Sequence, residues 1–518
     1  MTQVGGNELV DNPNDLNYGP DGQLWVSERE RGVLVRINPD NGARDELVTI
    51  PNVLSTSRQE GLLGFTFHQD FANNPFVYLS YTREEQGVKL QRLARYTYSQ
   101  SGDDGILNDP VIILDNLPAT NDHNSGRIVY GPDAKLYYSI GDHGNNQGRN
   151  YCNEIRAQFL PSQAEVDVQD WVNYPGSILR LNVDGSIPTD NPILDGVQSH
   201  IFSYGHRNPQ GLSFSESGKL YSSEHGPETD DEVNLIAPGN NYGWPIVVGF
   251  KDDQAYDYCN WSMAPDCENL TFDVFNCPPN TPQVEENTMT DSNYTEPLAS
   301  LFAVSDDYDF NDPRFESSYW ARPNVAPPSI EVYESDAIPS WKGSLLIPSL
   351  KRGRIYRLKL NADGTAIEGD TIQHFYTPNR YRDIALDPDG KSFYIVTDES
   401  GNVSDLSGTR RATPNRRNPS AILKFTLDEA STTSSVHTSP VFRAWPNPSD
   451  DELYVDLLLE RSTPSNATLL NMTGQAVVAE QELGLGRNVI RLASLAAGTY
   501  VLRVVSSGDV QEQVIIVK

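Results

Sequence analysis

Few side chains in this sequence can move a proton near neutral pH: there are 8 histidines in 518 residues. One of them, His123, lies in ATNDHNSGRIVYGP (119–132), between Asp122 and Asn124, where a polar turn enters a β-branched run. An imidazole with an ordinary pKa of about 6.5 can take up a proton at that point, whereas Asn or Ser could only fill the turn. Read locally, a capped structural histidine is the alternative.

Other stretches offer complementary chemistry. SRQEGLLGFTFHQDF (57–71) sets Gln59 and Glu60 before a glycine-flanked strand, and GDHGNNQGRN (141–150) is a Gly/Asn loop suited to lining a ligand site. In YGHRNPQG, Arg207 and Asn208 precede Pro209, which biases Asn208 towards extended backbone. EHGPETDDE (224–232) places a Gly-Pro turn beside Glu228, Asp230, Asp231 and Glu232. Exposed carbonyls with carboxylates suit a hard cation such as Ca²⁺, the alternative being a solvated acidic loop. Lys351 and Arg352 follow LLIPSL, and Arg380 and Arg382 flank Tyr381 in NRYRD. In an acidic chain such cations suggest an anion cradle, Arg acting as a bidentate fork and Lys as a point charge; the alternative is surface ion pairs. A base, a divalent-ion site and several cations together fit a polyanionic cofactor held through calcium. The set fits a phosphate-cradling P-loop badly, because G-x-x-x-x-G-K-[ST] does not occur.

The elements that must position these residues are short strands. Gly (38), Pro (35) and Tyr (25) are plentiful, and no long stretch keeps a helical period. One phrase recurs: GPDGQLWVSE from Gly19, GPDAKLYYSIGD from Gly131, SESGKLYSSE from Ser215 and DPDGKSFYIVTD from Asp387. Looser relatives begin at His68 and Trp341. Each reads as a tight turn feeding a strand. Six such units predict an all-β fold, a six-bladed β-propeller over residues 1–427. A Ser/Thr-rich linker follows (428–441), and then about 77 residues of short alternating strands, a small C-terminal β-sandwich over 442–518. Lys and Arg number 39 against 71 Asp and Glu, a net charge of −32, which argues against a nucleic-acid partner. No window is apolar enough to span a membrane. Cys152, Cys259, Cys267 and Cys277 do not have zinc-type spacing; in a secreted chain one or two disulfides are expected, with three full pairings open.

Two resemblances sharpen this reading. The Pro-Asn-Pro at 446–448, NMTGQ (471–475), LAAGTYVLRV (495–504) and the terminal VIIVK resemble the C-terminal sorting domains of type IX secretion. That implies a secreted or cell-surface protein, and so a signal peptide absent from this sequence, whose opening MTQVGGNELV has neither a basic stretch nor an apolar core. Over roughly residues 8–427, seven ordered motifs (QEGLLGFTFHQDF, DHNSGRIVYGPDAKLYYSIGD, GHRNPQGLSF, HGPETDDEVNLI, NNYGWP, PSLKRG and NRYRD) resemble the soluble quinoprotein glucose dehydrogenases, six-bladed propellers that use pyrroloquinoline quinone (PQQ) and Ca²⁺.

The second resemblance implies a role for each matching residue. His123 would be the base for the anomeric hydroxyl, whose C1 hydride passes to the quinone, and Asp122 the acid beside it. Arg207 would stabilise charge on the quinone oxygens. Gln59, Asn208, Lys351, Arg380 and Arg382 fall on PQQ-binding positions. Gly226 and Pro227 match the carbonyls on a catalytic calcium, and Glu232, Tyr242, Val248, Phe250, Asp252 and Glu286 match structural calcium ligands. Gln147 and Tyr319 fall where the family touches the sugar. Family members are often homodimers and pass electrons to an external acceptor.

In YWARPNVAPPS the chain departs from the pattern: Arg322 replaces a tryptophan at the sugar rim, and Asn324 a threonine that touches PQQ. A cation there would suit an acidic or larger sugar. The Cys259–Cys277 insertion is a second departure. The expected function is therefore a PQQ- and calcium-dependent aldose dehydrogenase. A calcium-dependent propeller lactonase, which would not need the cationic cradle, and a non-catalytic sugar-binding propeller are the rivals.

Overall fold

The computed structural model describes residues 1–518 apart from 7, 58, 103, 275, 307, 311–321, 323, 405–411, 428–441, 446–448, 450, 458–464, 472–474, 484–486, 493–494, 507–508 and 518. The chain divides into two compact units, Met1–Leu427 and Asp428–Lys518. The expected linker 428–441 lies outside the described residues.

Among its described residues the first unit contains six four-stranded antiparallel sheets. Five are consecutive in sequence. They start at Pro13–Tyr18, Leu62–Phe67, Ile128–Tyr130, Pro209–Phe214 and Glu331–Tyr333. The sixth runs Tyr381–Leu386, Ser392–Thr397, Ile422–Thr426 and takes its outer strand from the other end of the unit, Thr2–Val4. Among the described residues the one α-helix is Gln163–Asp167, with Ser162 and Glu165 forming a capping box.

All six repeated phrases fall at the same structural position, the turn between the first and second strands of a sheet. Tyr18 pairs with Leu24 across the first, Tyr130 with Leu136 across the third and Leu386 with Phe393 across the last. The strands are β-branched and aromatic on both faces because neighbouring sheets pack face to face. One core cluster joins Tyr78 and Leu93 of the second sheet to Tyr138 and Leu179 of the third.

One guanidinium links residues in or just before the first strands of several sheets. Arg127, buried, donates to Asp15, to Asp383 Oδ2 (2.8 Å), to the Gln210 carbonyl (3.0 Å) and to the Pro328 carbonyl (3.2 Å). Asp15 Oδ2 in turn accepts from the Phe65 amide at 2.8 Å. Each of the six sheets thus contributes a group to this hub or adjoins one that does.

The second unit has a three-stranded sheet (Phe442–Trp445, Glu452–Leu457, Arg487–Arg491) and a four-stranded one (Ala476–Leu483, Ser465–Asn471, Gly498–Ser506, Asp509–Val517). Phe442, Leu453 and Ile490 from one sheet share a core with Leu469, Leu502 and Ile515 from the other. The Pro-Asn-Pro at 446–448 and residues 472–474 of NMTGQ lie outside the described residues.

Candidate active site

In an antiparallel hairpin, the start of the first strand and the end of the second lie side by side. The candidate residues occupy those positions in successive sheets. His123 precedes Ile128–Tyr130, and Asp142 follows Lys135–Ile140. Arg207 and Asn208 precede Pro209–Phe214, and His225 follows Leu220–Glu224. Lys351 follows Ser344–Pro348, Arg380 precedes Tyr381–Leu386 and Asp398 follows Ser392–Thr397. Gln59 precedes Leu62–Phe67.

His123 adopts a left-handed backbone (φ 42°), a conformation that costs a non-glycine residue energy and marks an over-determined position. Its carbonyl presses on Gly141, where an added Cβ would lie only 2.2 Å from that oxygen, so only glycine admits this approach. The turn is tied to its neighbours by Asn124, whose Nδ2 donates to the Gln59 carbonyl at 2.8 Å. His123 Nδ1 lies 2.7 Å from Asp142 Oδ1. Asp142 is fully buried, and its Oδ2 accepts from Trp244 Nε1 at 2.8 Å. A carboxylate can only accept, so Nδ1 carries the proton and Nε2 is left as the basic nitrogen. Asp122, the acid expected beside the base, lies 3.8 Å from Nε2, and its Oδ1 caps the His123 amide at 3.0 Å. The residue that orients the ring is Asp142 instead.

Gln147 bridges base and arginine. Its Nε2 lies 3.1 Å from His123 Nε2 and 3.3 Å from Asp122 Oδ2, and its Oε1 accepts from Arg207 Nη2 at 2.6 Å. Arg207 Nη1 donates to the His225 carbonyl at 3.0 Å, and its guanidinium sits 5.3 Å from the Trp244 ring centroid. Beside it, Asn208 Oδ1 accepts from Ser125 Oγ (2.9 Å) and Gln210 Nε2 (2.8 Å). Asn208 Nδ2, Arg207 Nε and His225 Nε2 are buried with no hydrogen-bond partner. Such groups cost roughly 1–3 kcal/mol each unless something satisfies them.

The cations converge on the same region. Burial, with Arg207, His123, Arg382 and Lys351 all acting on it, holds the His225 imidazole well below its ordinary value. Burial also brings the Lys351 ammonium down to about 7, against the pull of Asp231. Lys351 Nζ donates to Asn324 Oδ1. Arg380 Nε (3.0 Å) and Arg382 Nε (2.7 Å) share the carboxylate of Asp398. Burial alone would raise the Asp398 carboxyl, but Arg382 and Arg380 hold it well below the usual range.

The acidic stretch differs from a solvated loop: Asp230, Asp231 and Glu232 are buried. Asp231 Oδ1 accepts from the Gly226 amide at 3.0 Å and its Oδ2 from the Ala326 amide at 2.8 Å. The turn closes so tightly that a Cβ at Gly226 would meet the Thr229 carbonyl at 2.0 Å. Glu232 accepts from the Gly249 amide (2.8 Å), and Glu286 from the Val248 (2.9 Å), Asp252 (3.2 Å) and Asp253 (3.0 Å) amides. Burial raises both carboxyls, Glu286 to about 7 and Glu232 well above its usual value with Glu224 adding to it. Among the described residues no three His, Cys, Asp or Glu side chains gather as a metal cluster. The Tyr242 hydroxyl donates to the Leu235 carbonyl (2.6 Å) and accepts from the Ala237 amide (3.0 Å), and the Phe250 ring has no donor atom, so each could offer a cation only its carbonyl.

Arg322 is not the loose cation expected at the sugar rim. It is buried and paired with Glu228, which cancels its charge and removes the reason to expect an acidic sugar. Tyr319 lies outside the described residues.

Sequence reasoning missed Asp142 and Asp398, although a signal was present. The repeated phrase ends in an acid in four units: Glu28, Asp142, Glu224 and Asp398. Each closes a second strand at the site end. Glu28 binds Arg31 and Arg44, and Glu224 binds His206 Nδ1 (3.0 Å) and the Arg207 amide (2.8 Å). All four cysteines are paired, Cys152–Cys267 and Cys259–Cys277.

Against this geometry, the family Glucose / Sorbosone dehydrogenase matches residues 10–270 and 290–405, and Secretion system C-terminal sorting domain matches 443–518. Quinoprotein glucose dehydrogenase B of Acinetobacter calcoaceticus is 43% identical over 429 residues, covering 80% of this chain and 89% of that protein. An aldose sugar dehydrogenase of Escherichia coli is 27% identical, covering 76% and 89%. The PQQ-bound aldose sugar dehydrogenase of Streptomyces coelicolor superposes with a TM-score of 0.54 at 26% identity, covering 82% of this chain and 96% of that one.

Proposed function

The chain belongs to the Glucose / Sorbosone dehydrogenase family, and from that premise we propose that its first unit is a PQQ- and Ca²⁺-dependent aldose dehydrogenase that oxidises the C1 hydroxyl of a sugar to the lactone. The six four-stranded sheets support a six-bladed propeller over residues 1–427. The paired sheets of the second unit support a β-sandwich over 442–518, and its sorting-domain match supports secretion by the type IX route.

The observation that carries the reading is the meeting of a tautomer-fixed base, His123, with Arg207 and a cationic rim around buried, unsatisfied donors. An anionic planar cofactor rich in oxygen acceptors fits that donor set. Asn208 Nδ2 and Arg207 Nε would be satisfied by its oxygens, and Lys351, Arg380 and Arg382 would neutralise its carboxylates. Gln59 and Asn324 complete the proposed contacts. For calcium, Gly226 and Pro227 offer main-chain oxygen, and Glu232, Tyr242, Val248, Phe250, Asp252 and Glu286 form the proposed structural sites, held mostly by carbonyls with two buried carboxylates.

When bound, PQQ supplies a two-electron acceptor for the C1 hydride. The protein does the rest. Asp142 keeps the Nδ1 proton in place, so His123 Nε2 can take the proton of the anomeric hydroxyl. Asp142 also stabilises the imidazolium that results. Arg207, stacked on Trp244, presents fixed positive charge where negative charge grows. Gln147, which faces Nε2 here, would give way to the sugar hydroxyl and hold it, with Asp122, Tyr319 and Arg322 around the sugar. An external electron acceptor and a homodimer complete the proposal.

Adding PQQ and Ca²⁺ to apo-protein should produce a quinone absorption band, and an aldose panel should then reduce a dye. His123→Ala should keep the band and lose the dye reduction. Lactone hydrolysis without a band would point to a lactonase. Sugar binding without dye reduction would point to a non-catalytic propeller.

A further inference from the structure

The segment 256–284, described apart from 275, carries Cys259, Cys267 and Cys277 and contacts the loop of Gln147 at two places. Asn146, the neighbour of Gln147, is bonded through both ends of its amide: Nδ2 donates to the Cys259 carbonyl (2.8 Å), and Oδ1 accepts from the Ser262 amide (3.3 Å). Tyr151, on the same loop, packs edge-on against Trp261 (5.7 Å) and donates its hydroxyl to the Leu270 carbonyl (2.9 Å). The Cys152–Cys267 disulfide ties loop to segment, and Cys259–Cys277 closes the segment on itself. At its base, Tyr258 is buried with Trp244, whose indole holds Asp142. The family match is interrupted over 271–289, so part of this brace lies outside the matched pattern.

The loop does not hold itself in place cheaply. Asn146 is left-handed (φ 63°), and its amide donates to the carbonyls of Asn150 and Asn153, both at 3.0 Å. The outside bonds add to the three that Gln147 makes itself, to His123, Asp122 and Arg207, by fixing the backbone from which its side chain reaches them. We propose that segment 256–284 is a positioning brace for the sugar: by gripping Asn146 it holds the Gln147 amide at the base and so sets the affinity for substrate. Asn146 is a positioning residue here, acting through Gln147. The proposal rests on the dehydrogenase reading above.

The test uses the full chain loaded with PQQ and Ca²⁺. Asn146→Ala keeps both disulfides, and Cys152→Ser with Cys267→Ser removes the link. In both, KM for the aldose should rise about tenfold while kcat and PQQ affinity stay within about twofold, because a group that holds the sugar equally in ground and transition states raises KM alone when it is misplaced. Hydrogen exchange of the 146, 150 and 153 amides should quicken about tenfold as local opening becomes easier, with sheet amides unchanged. An unchanged KM in Asn146→Ala, or a fall in kcat or PQQ affinity at constant KM, overturns the proposal. Unchanged exchange overturns it too, whatever the activity. A wild-type protein that oxidises no aldose would instead defeat the dehydrogenase reading, and exchange would still decide whether the brace exists.

Discussion

Replacing Asp142 by Asn removes one charge and leaves the shape intact. Asp142 Oδ1 accepts from His123 Nδ1 (2.7 Å) and from the Gly144 amide (2.9 Å), while Oδ2 accepts from Trp244 Nε1 (2.8 Å). An asparagine keeps most bonds by leaving its oxygen at Oδ1, which turns its NH₂ towards the indole N–H. The tautomer of His123 then survives, but the partner of the developing imidazolium is neutral. At an effective dielectric of about 20, unit charges some 4 Å apart attract by about 4 kcal/mol. The hydrogen bond that remains returns about 1 kcal/mol. The net loss of about 3 kcal/mol corresponds to about a hundredfold fall in kcat. Steady-state dye reduction with saturating aldose, on protein titrated with PQQ and Ca²⁺, measures it. A variant within about threefold of wild type in kcat would refute the reasoning, since then less than 1 kcal/mol passes through this carboxylate. A loss of PQQ affinity matching the loss of rate would refute it as well, by showing that the substitution disturbs the pocket instead of the base.

Two further outcomes follow from groups outside this pair. Burial lowers His200 and His374 to about 4, with Arg357 adding to the effect at His374. Both unfold into imidazoles that bind protons below 6.5, so unfolding takes up protons and their contribution, complete above that pH, is lost as pH falls towards 4. Each is worth on the order of 3 kcal/mol over that window. Urea midpoints at pH 7 and pH 4.5 should show the decline and His200→Asn should lessen it, an equal decline in the variant counting against the assignment. Glu228→Gln would leave the Arg322 charge uncancelled, and turnover of a uronic acid relative to a neutral aldose should rise about tenfold; an unchanged ratio would mean that Glu228 does not govern the charge at the sugar.

The framework was legible because it is local. A turn phrase followed by alternating apolar residues fixes a hairpin within about fifteen residues, and all six phrases mark first-to-second-strand turns. The two-unit division was legible from the same texture. The site was legible as residue types gathered at strand ends: His123, Arg207, Lys351, Arg380 and Arg382 do come together. What failed was pairing across the chain. Trp244 reaches Asp142 over 102 positions, and Cys152 reaches Cys267 over 115. Arg322 read as a free cation because nothing near it in sequence announces Glu228. The acids that end the strands were visible, but their meaning depends on which cation the next sheet brings beside them.

Arg127 gives the first unit an anchor made of charge and carbonyls and not of apolar packing. Its charge cannot be titrated away in ordinary conditions, and it gathers acceptors from separate sheets where no solvent competes. Cohesion between the sheets is therefore drawn to Arg127, while loops such as 141–150 take no part in its bonds. A lineage could lengthen, cross-link or replace such a loop without loosening the scaffold, and the disulfide-rich excursion carried by this chain is the kind of graft that such an arrangement tolerates.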